Sequence, residues 1–336
     1  MLNPKLKLNP KIFNQDCEQI PTRKGFGEGL ALAGEADSNV VGLCADLTES
    51  TAMNLFADKF PERFIQVGVA EQNLVTVASG MAAMGKIPFC SSYAMFSPGR
   101  NWEQIRTTIS YNDRKVVIVG SHSGILVGPD GGTHQALEDI GLMRMLPNMD
   151  VVNPCDAIEA KKATMTLAKT PKPAYIRLGR APSPVVTTEE TPFNFGKAEI
   201  FWMPDVSLAQ VGIIATGGLV HRAILAAKEL ESQEESERVK TKVMNLSSIK
   251  PIDVNAIVVL AKECKAIVIV EEHQVAGGMG SAVAEVLAQN FPVPMEFVGV
   301  QDRFGQSGTP DELIEEYGMG KDSIKDAVRK VLQRKL

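Results

Sequence analysis

A glutamate, two histidines and two aromatic residues stand where this sequence passes from strand-like to loop or helix-like patterns, and each could do chemistry there. Glu71 lies in Val67-Gly68-Val69-Ala70-Glu71-Gln72-Asn73, after an apolar run at 64–67 and before a helical pattern at 73–85. A carboxylate at the carboxyl end of a parallel strand sits where open α/β sheets bind ligands. Taken alone, it is as well explained as a first-turn glutamate stabilised by the helix dipole. Asp46, the pair Tyr93 and Phe96, and the loop Gly128-Pro129-Asp130-Gly131-Gly132-Thr133-His134 also fall just beyond predicted strands. Singly, these too have plain readings: a turn cap for Asp46, core packing for the aromatic pair. His122 and His134 are two of only four histidines in the chain and share one glycine-rich loop, a setting suited to proton transfer or polar recognition.

Positioning such residues requires a parallel sheet covered on both faces, and the chain alternates strand-like and helix-like runs accordingly. The spacing predicts helices at 23–36, 101–110, 136–145 and 157–169, and strands at 40–44, 86–91, 116–119, 150–153 and 174–178. The segment 181–195 is rich in Pro, Thr and Glu without apolar periodicity and reads as a linker. A second, smaller α/β pattern follows, with strands predicted at 211–214, 242–245, 266–270 and 295–298.

Composition narrows the function classes. At 336 residues and 44% hydrophobic content, the chain can bury two cores. A net charge of −5 argues against nucleic acid or a membrane surface as the main partner and favours small molecules or proteins. The N-terminus lacks a signal-peptide core and no later run is long enough to span a bilayer, so a cytoplasmic protein is expected. Five scattered cysteines have neither disulfide nor metal-ligand spacing and read as reduced packing residues.

Taken together, the motifs resemble the C-terminal half of transketolase, the thiamine-diphosphate enzyme of sugar-phosphate metabolism and the pentose phosphate pathway. Ala45-Asp46-Leu47 is similar to that family's Ala-Asp-Leu segment, and Gly68-Val69-Ala70-Glu71 to its cofactor-activating glutamate motif. Pro88-Phe89-Cys90-Ser91-Ser92-Tyr93-Ala94-Met95-Phe96 is similar to the aromatic cofactor-binding segment, and Gly128 to Gln135 to the active-site loop. The likeness runs from about residue 23 onward, with the first-domain motifs in the family's order. It implies an α/β chain: an N-terminal tail at 1–20, a parallel-sheet pyrimidine-binding domain at 21–180, the linker at 181–195 and a smaller α/β transketolase C-terminal domain at 196–336. That last domain, including Val270 to Gly280, would be largely structural. Its glycines do not form Gly-x-Gly-x-x-Gly and predict a tight turn into a helix, not a phosphate cradle.

The resemblance further implies thiamine diphosphate as cofactor, bound by Asp46, Leu47, Glu71, Tyr93 and Phe96. Such a cofactor supplies the carbanion chemistry while protein groups tune and position it. Glu71, desolvated at the strand end, would share a proton with the aminopyrimidine nitrogen. Tyr93 would stack on the ring and Phe96 wall the pocket. Arg23, Ser50, His122 and Arg180 match sugar-phosphate-binding positions, Arg being suited to bidentate phosphate recognition. Asp130 matches a residue that binds a substrate hydroxyl, and His134 one at the reacting carbonyl, which makes Glu71 and His134 the expected catalytic residues.

The family's diphosphate-binding domain, with its Gly-Asp-Gly motif and metal-ligating Asn, should precede residue 23, where only a short segment stands. The expectation is therefore a split enzyme with no metal ligands in this chain. A separate N-terminal transketolase subunit would carry the diphosphate-binding domain and hold Mg²⁺ (or Ca²⁺), in an α₂β₂ heterotetramer. The reaction implied is ketol transfer from a ketose phosphate to an aldose phosphate, with ping-pong kinetics. A 1-deoxy-D-xylulose-5-phosphate synthase or a pyruvate dehydrogenase E1 β subunit is the nearest alternative, and His122 and Ser50 favour transketolase. A non-catalytic assembly paralogue is the alternative from another class, opposed by the presence of Glu71, Asp130 and His134.

Overall fold

Short apolar runs bounded by glycine, proline and polar residues form the strands of two α/β units. The computed structural model describes residues 1–205 and 208–335; positions 206, 207 and 336, within the expected C-terminal domain, lie outside the described residues. The first unit runs β1 (Gln19–Ile20), α1 (Thr22–Ala36), β2 (Val40–Cys44), α2 (Asn54–Ala57), β3 (Phe64–Gln66), α3 (Glu71–Ala83), β4 (Ile87–Tyr93), α4 (Trp102–Gln104), β5 (Val117–Ser121), α5 (Asp139–Arg144), β6 (Asp150–Val152), α6 (Ala157–Leu167), β7 (Ala174–Arg177) and β8 (Ser183–Pro184). The second runs β9 (Glu199–Trp202), β10 (Val211–Ala215), α7 (Leu219–Glu231), β11 (Thr241–Asn245), β12 (Ser248–Lys250), α8 (Val254–Cys264), β13 (Ile267–Gln274), α9 (Met279–Asn290), β14 (Met295–Val300), α10 (Pro310–Glu316) and α11 (Lys321–Gln333).

The main sheet has seven strands in the order β12-β6-β7-β5-β4-β2-β3, parallel except at β12. Strands β2, β5 and β7 are buried along their whole length, as a parallel sheet under helices on both faces requires. On one face α1 packs against α6, closing a core of Phe26, Leu30, Val119 and Ile176. The second sheet, β14-β13-β10-β11-β9, is parallel except at β9 and packs α7 and α11 on one side and α8 and α9 on the other. Among the described residues no helix is long and apolar enough to cross a membrane. All five cysteines are free, four of them buried, in keeping with packing roles.

The structure differs from the sequence pattern at four places. The helix expected at 136–145 begins only at Asp139, because Ala136 is drawn into a parallel bridge with Ser123. The helix expected at 101–110 is a short α4 followed by a π-helical stretch, Ile105–Ser110. The segment 1–20, expected as a tail, is packed: Leu6, Leu8 and Ile12 enter the second unit's core, Leu2 bridges Trp202, and β1 pairs with β8. The segment 181–195, expected as a linker, buries Val185, Val186, Thr187 and Thr191, and the Asp156 carboxylate accepts the N–H groups of Val186 and Thr187 at 2.8 and 2.6 Å.

Candidate functional site

The parallel strands deliver their carboxyl ends to one edge of the main sheet, and the predicted site residues gather along it. After β3 the chain turns at Gly68, whose φ of +73° suits a residue without a side chain, and enters α3 at Glu71. Gln66 ties the neighbouring strand ends together by accepting the N–H groups of Asp46 at 2.7 Å and Gly68 at 3.2 Å. Glu71 is only 2% exposed. Arg100 Nη1 donates to its Oε2 at 2.7 Å, and Ser92 Oγ stands 3.5 Å from Oε1, at the limit of a hydrogen bond. The Glu71 carbonyl accepts from Asn101 Nδ2 at 2.8 Å.

Tyr93, at the end of β4, organises a ring cluster. His122 lies parallel to it with centroids 3.9 Å apart, and Phe96 lies nearly parallel at 6.0 Å. His134 meets both edge-on, at 6.3 Å from Tyr93 and 5.4 Å from Phe96. The Arg100 guanidinium lies 4.9 Å from the Phe96 centroid, which joins the cluster to Glu71. His122 holds a left-handed backbone, φ +52°, at the end of β5, and its Nδ1 is 2.9 Å from Ser121 Oγ. Burial, followed by the charges of Arg23, Arg180 and His134, pushes its pKa down to about 3, so it is neutral at pH 7. His134 Nδ1 lies 3.0 Å from Thr133 Oγ1.

Two arginines stand beside this neutral histidine. Arg23, in the first turn of α1, donates from Nη1 to the Ser50 carbonyl, so Ser50 engages it through main chain. Its Nε is buried with no partner among the described residues, and burial together with the nearby Arg180 lowers its pKa. Arg180, just beyond β7, donates from Nη1 to the Val127 carbonyl at 3.1 Å. Two guanidiniums near a neutral imidazole make an electropositive setting for an anion.

Not every expected residue joins the cluster. Asp46 is exposed, with φ +59°, and Leu47 packs against the first core; both lie at the β2 end, beside Gln66. Asp130 is exposed at the end of the 3₁₀ turn Ile125–Asp130, and among the described residues no hydrogen bond ties its side chain to the rings. Arg100, Ser92 and Asn101 went unanticipated; only Ser92, within the aromatic segment, carried a signal. In the second unit the Glu271 carboxylate accepts the N–H groups of Met279 at 2.7 Å and Gly280 at 2.8 Å, occupying the helix N-terminus where a phosphate would bind. The expected turn into a helix is present, at Gly277 and α9. Among the described residues no group of three or more His, Cys, Asp or Glu side chains could hold a metal ion.

A parallel α/β unit with a buried glutamate and stacked rings at its strand ends is thus followed by a smaller mixed α/β unit. Residues 18–184 match the family described as transketolase, pyrimidine binding domain, and residues 203–324 match transketolase, C-terminal domain. The chain belongs to the transketolase family. It is 40% identical over 315 residues to a putative transketolase C-terminal section of Methanocaldococcus jannaschii, covering 93% of this chain and 96% of that one. It is 38% identical to a 6-deoxy-6-sulfo-D-fructose transketolase subunit of a Clostridium species, covering 96% and 98%. Its fold superposes with a TM-score of 0.86, at 41% identity, on a solved split gene transketolase described as an inactive beta4 tetramer, covering 94% of this chain and all of that one.

Proposed function

We propose that this chain is the C-terminal subunit of a split, cytoplasmic transketolase, working with a separate N-terminal subunit that carries the diphosphate-binding domain and the Mg²⁺ (or Ca²⁺), as an α₂β₂ heterotetramer. The observation that carries the reading is the convergence of Glu71, the Tyr93–Phe96–His122–His134 rings and the Arg23 and Arg180 side chains on one sheet edge. The full-length similarity to proteins described as a C-terminal section and a subunit supports the division of labour.

The residues present fit the ring half of thiamine diphosphate. Among the described residues Glu71 Oε1 has only the 3.5 Å contact with Ser92, which leaves it able to take a ring-nitrogen hydrogen bond, and Tyr93 and Phe96 offer half-buried flat faces. When bound, the cofactor supplies a nucleophilic carbon for breaking and forming carbon–carbon bonds. Glu71 holds and moves the proton at the aminopyrimidine nitrogen. Asp46 and Leu47 wall the ring at the β2 end. His134 exchanges a proton with the substrate's carbonyl and hydroxyl, and Asp130 accepts from a hydroxyl. Arg23 and Arg180, with Ser50 and the neutral His122, grip the terminal anionic group of the sugar, which sets a phosphorylated ketose and aldose as the substrates.

Reconstitution tests the reading. With thiamine diphosphate, Mg²⁺ and a ketose phosphate, ketol transfer is expected only when an N-terminal subunit is added; robust transfer by this chain alone overturns the split. One relative is described as acting on a sulfonated sugar. A higher kcat/KM for a 6-sulfo ketose than for the phosphate would keep the ketol transfer and overturn the phosphate assignment.

A further inference from the structure

The second unit reaches into the histidine loop at two points. Glu272, buried on β13, accepts the main-chain N–H of Leu126 at 2.7 Å, at the start of the 3₁₀ turn that ends in Asp130. Gly124 enters that turn with φ +77°, and a Cβ there would collide with the Glu272 carboxylate, so loop and glutamate are fitted to each other. Gln135, 3% exposed, follows His134 directly. Its Nε2 donates to the carbonyls of Ile125 at 3.1 Å and Gln306 at 3.0 Å, and lies 3.5 Å from that of Gly128.

Gln306 belongs to the segment 301–309, between β14 and α10, and this segment lies against the loop along its length. A Cβ on Gly131 would stand 2.6 Å from Ser307 Oγ, and one on Gly132 would stand 2.7 Å from the Gly305 carbonyl. Both ends of the stretch that bears Asp130 and His134 are thus tied by partly buried hydrogen bonds to the second unit. Losing such a bond strands carbonyls at Gln135 or the Leu126 N–H at Glu272 and lets the loop open locally.

We propose that Gln135 and Glu272 are positioning residues for the active site: they clamp the loop 124–136 onto β13 and the segment 301–309, so that the second unit sets the geometry of His134 and Asp130. This rests on the assignment of those two residues to the substrate, and the test separates the two claims.

In the full-length chain, hydrogen exchange is measured for Gln135→Met, which keeps length but removes the donors, and for Gly305→Ala, whose added methyl would collide with Gln135 Oε1. Exchange at 125–135 and 301–309 should rise at least about tenfold in both, with β5 and β13 unchanged. Glu272→Gln, which keeps an acceptor for Leu126, should leave exchange near wild type, whereas Glu272→Leu should raise it. In the reconstituted enzyme, Gln135→Met should lower kcat/KM about tenfold while proton exchange at the cofactor's reactive carbon, which depends on Glu71, stays unchanged. Unaltered exchange in both loop segments, exchange raised equally across β5 and β13, or an opened loop with full activity would each overturn the clamp. A wild-type complex without ketol transfer would instead overturn the functional reading, and the exchange data would still decide the clamp.

Discussion

Two of the regions where this molecule buries charge close their hydrogen bonds to different degrees. At the seam between the units, Arg177 and Asp139 are 3% and 1% exposed and pair at 2.8 Å. Tyr175 adds its hydroxyl to the same carboxylate oxygen at 2.7 Å, and Arg177 donates onward to the carbonyls of Ala136 and Glu272 at 3.3 and 2.8 Å. Burial alone would raise the Asp139 pKa, but Arg177, His273 and the hydrogen bonds outweigh it and hold the carboxyl below its usual value. At the sheet edge, Glu71 is equally buried, yet its partner Arg100 is 50% exposed, Asp130 faces outward and, among the described residues, Arg23 keeps an unpartnered Nε. The seam spends most of its polar capacity on the chain itself, although among the described residues the buried Asp139 Oδ1 has no partner. The edge holds part of it back, which is what a site for an outside molecule requires.

The largest test of this contrast is Asp139→Ala, which leaves Arg177 charged and buried without its partner. Urea unfolding should show a loss of roughly 3–5 kcal/mol. A loss no greater than that of a surface ion pair would erase the distinction. Next, Glu71→Gln keeps shape but cannot move a proton, so turnover of the reconstituted enzyme should fall by about 10²-fold with assembly intact. Proton exchange at the cofactor's reactive carbon checks this, and an unchanged rate removes Glu71 from the role. A smaller change is expected from Arg180→Ala, about one to two decades in kcat/KM for a ketose phosphate, from losing charge-assisted hydrogen bonds of roughly 1.5–3 kcal/mol. The unphosphorylated sugar should barely respond; equal proportional losses would make Arg180 structural.

The last test concerns His122. Its folded pKa, about 3, lies below the ordinary value of 6.5. Between those values the unfolded chain binds a proton that the folded chain refuses, so stability is full above pH 6.5 and declines as pH falls toward 3. His122→Asn should flatten the slope of unfolding free energy against pH in that window by at most about 1.4 kcal/mol per pH unit. Inorganic phosphate, by offsetting Arg23 and Arg180, should flatten it in the wild type too. An unchanged slope in the variant would assign the acid sensitivity to other groups.

Legibility in the sequence followed the same divide. Strands such as β2, β5 and β10 were plain because each is an apolar run bounded by turn residues. The edge site was legible because Glu71, Tyr93 and His134 sit in local motifs. The seam was not, since its partners are far apart in the chain: Arg177 and Glu272 are 95 residues distant. A cue was present in Arg177, a charge inside an otherwise apolar strand, which signals a buried partner. Likewise β13 extends to Gln274 because Glu271, Glu272 and His273 find partners that no apolar pattern announces. Arg100 follows a turn that carries no motif, so only the fold brings it to Glu71.

Strand β12 belongs to the second unit by sequence and to the first sheet by hydrogen bonding, with Ser248 opposite Val152 and Lys250 opposite Val151. It covers the margin of β6, which would otherwise present an open row of N–H and C=O groups able to recruit another chain. The family boundary near residue 184 therefore does not divide the two sheets cleanly. A chimaera that exchanged the second unit for a relative's would inherit a foreign last strand for its first sheet.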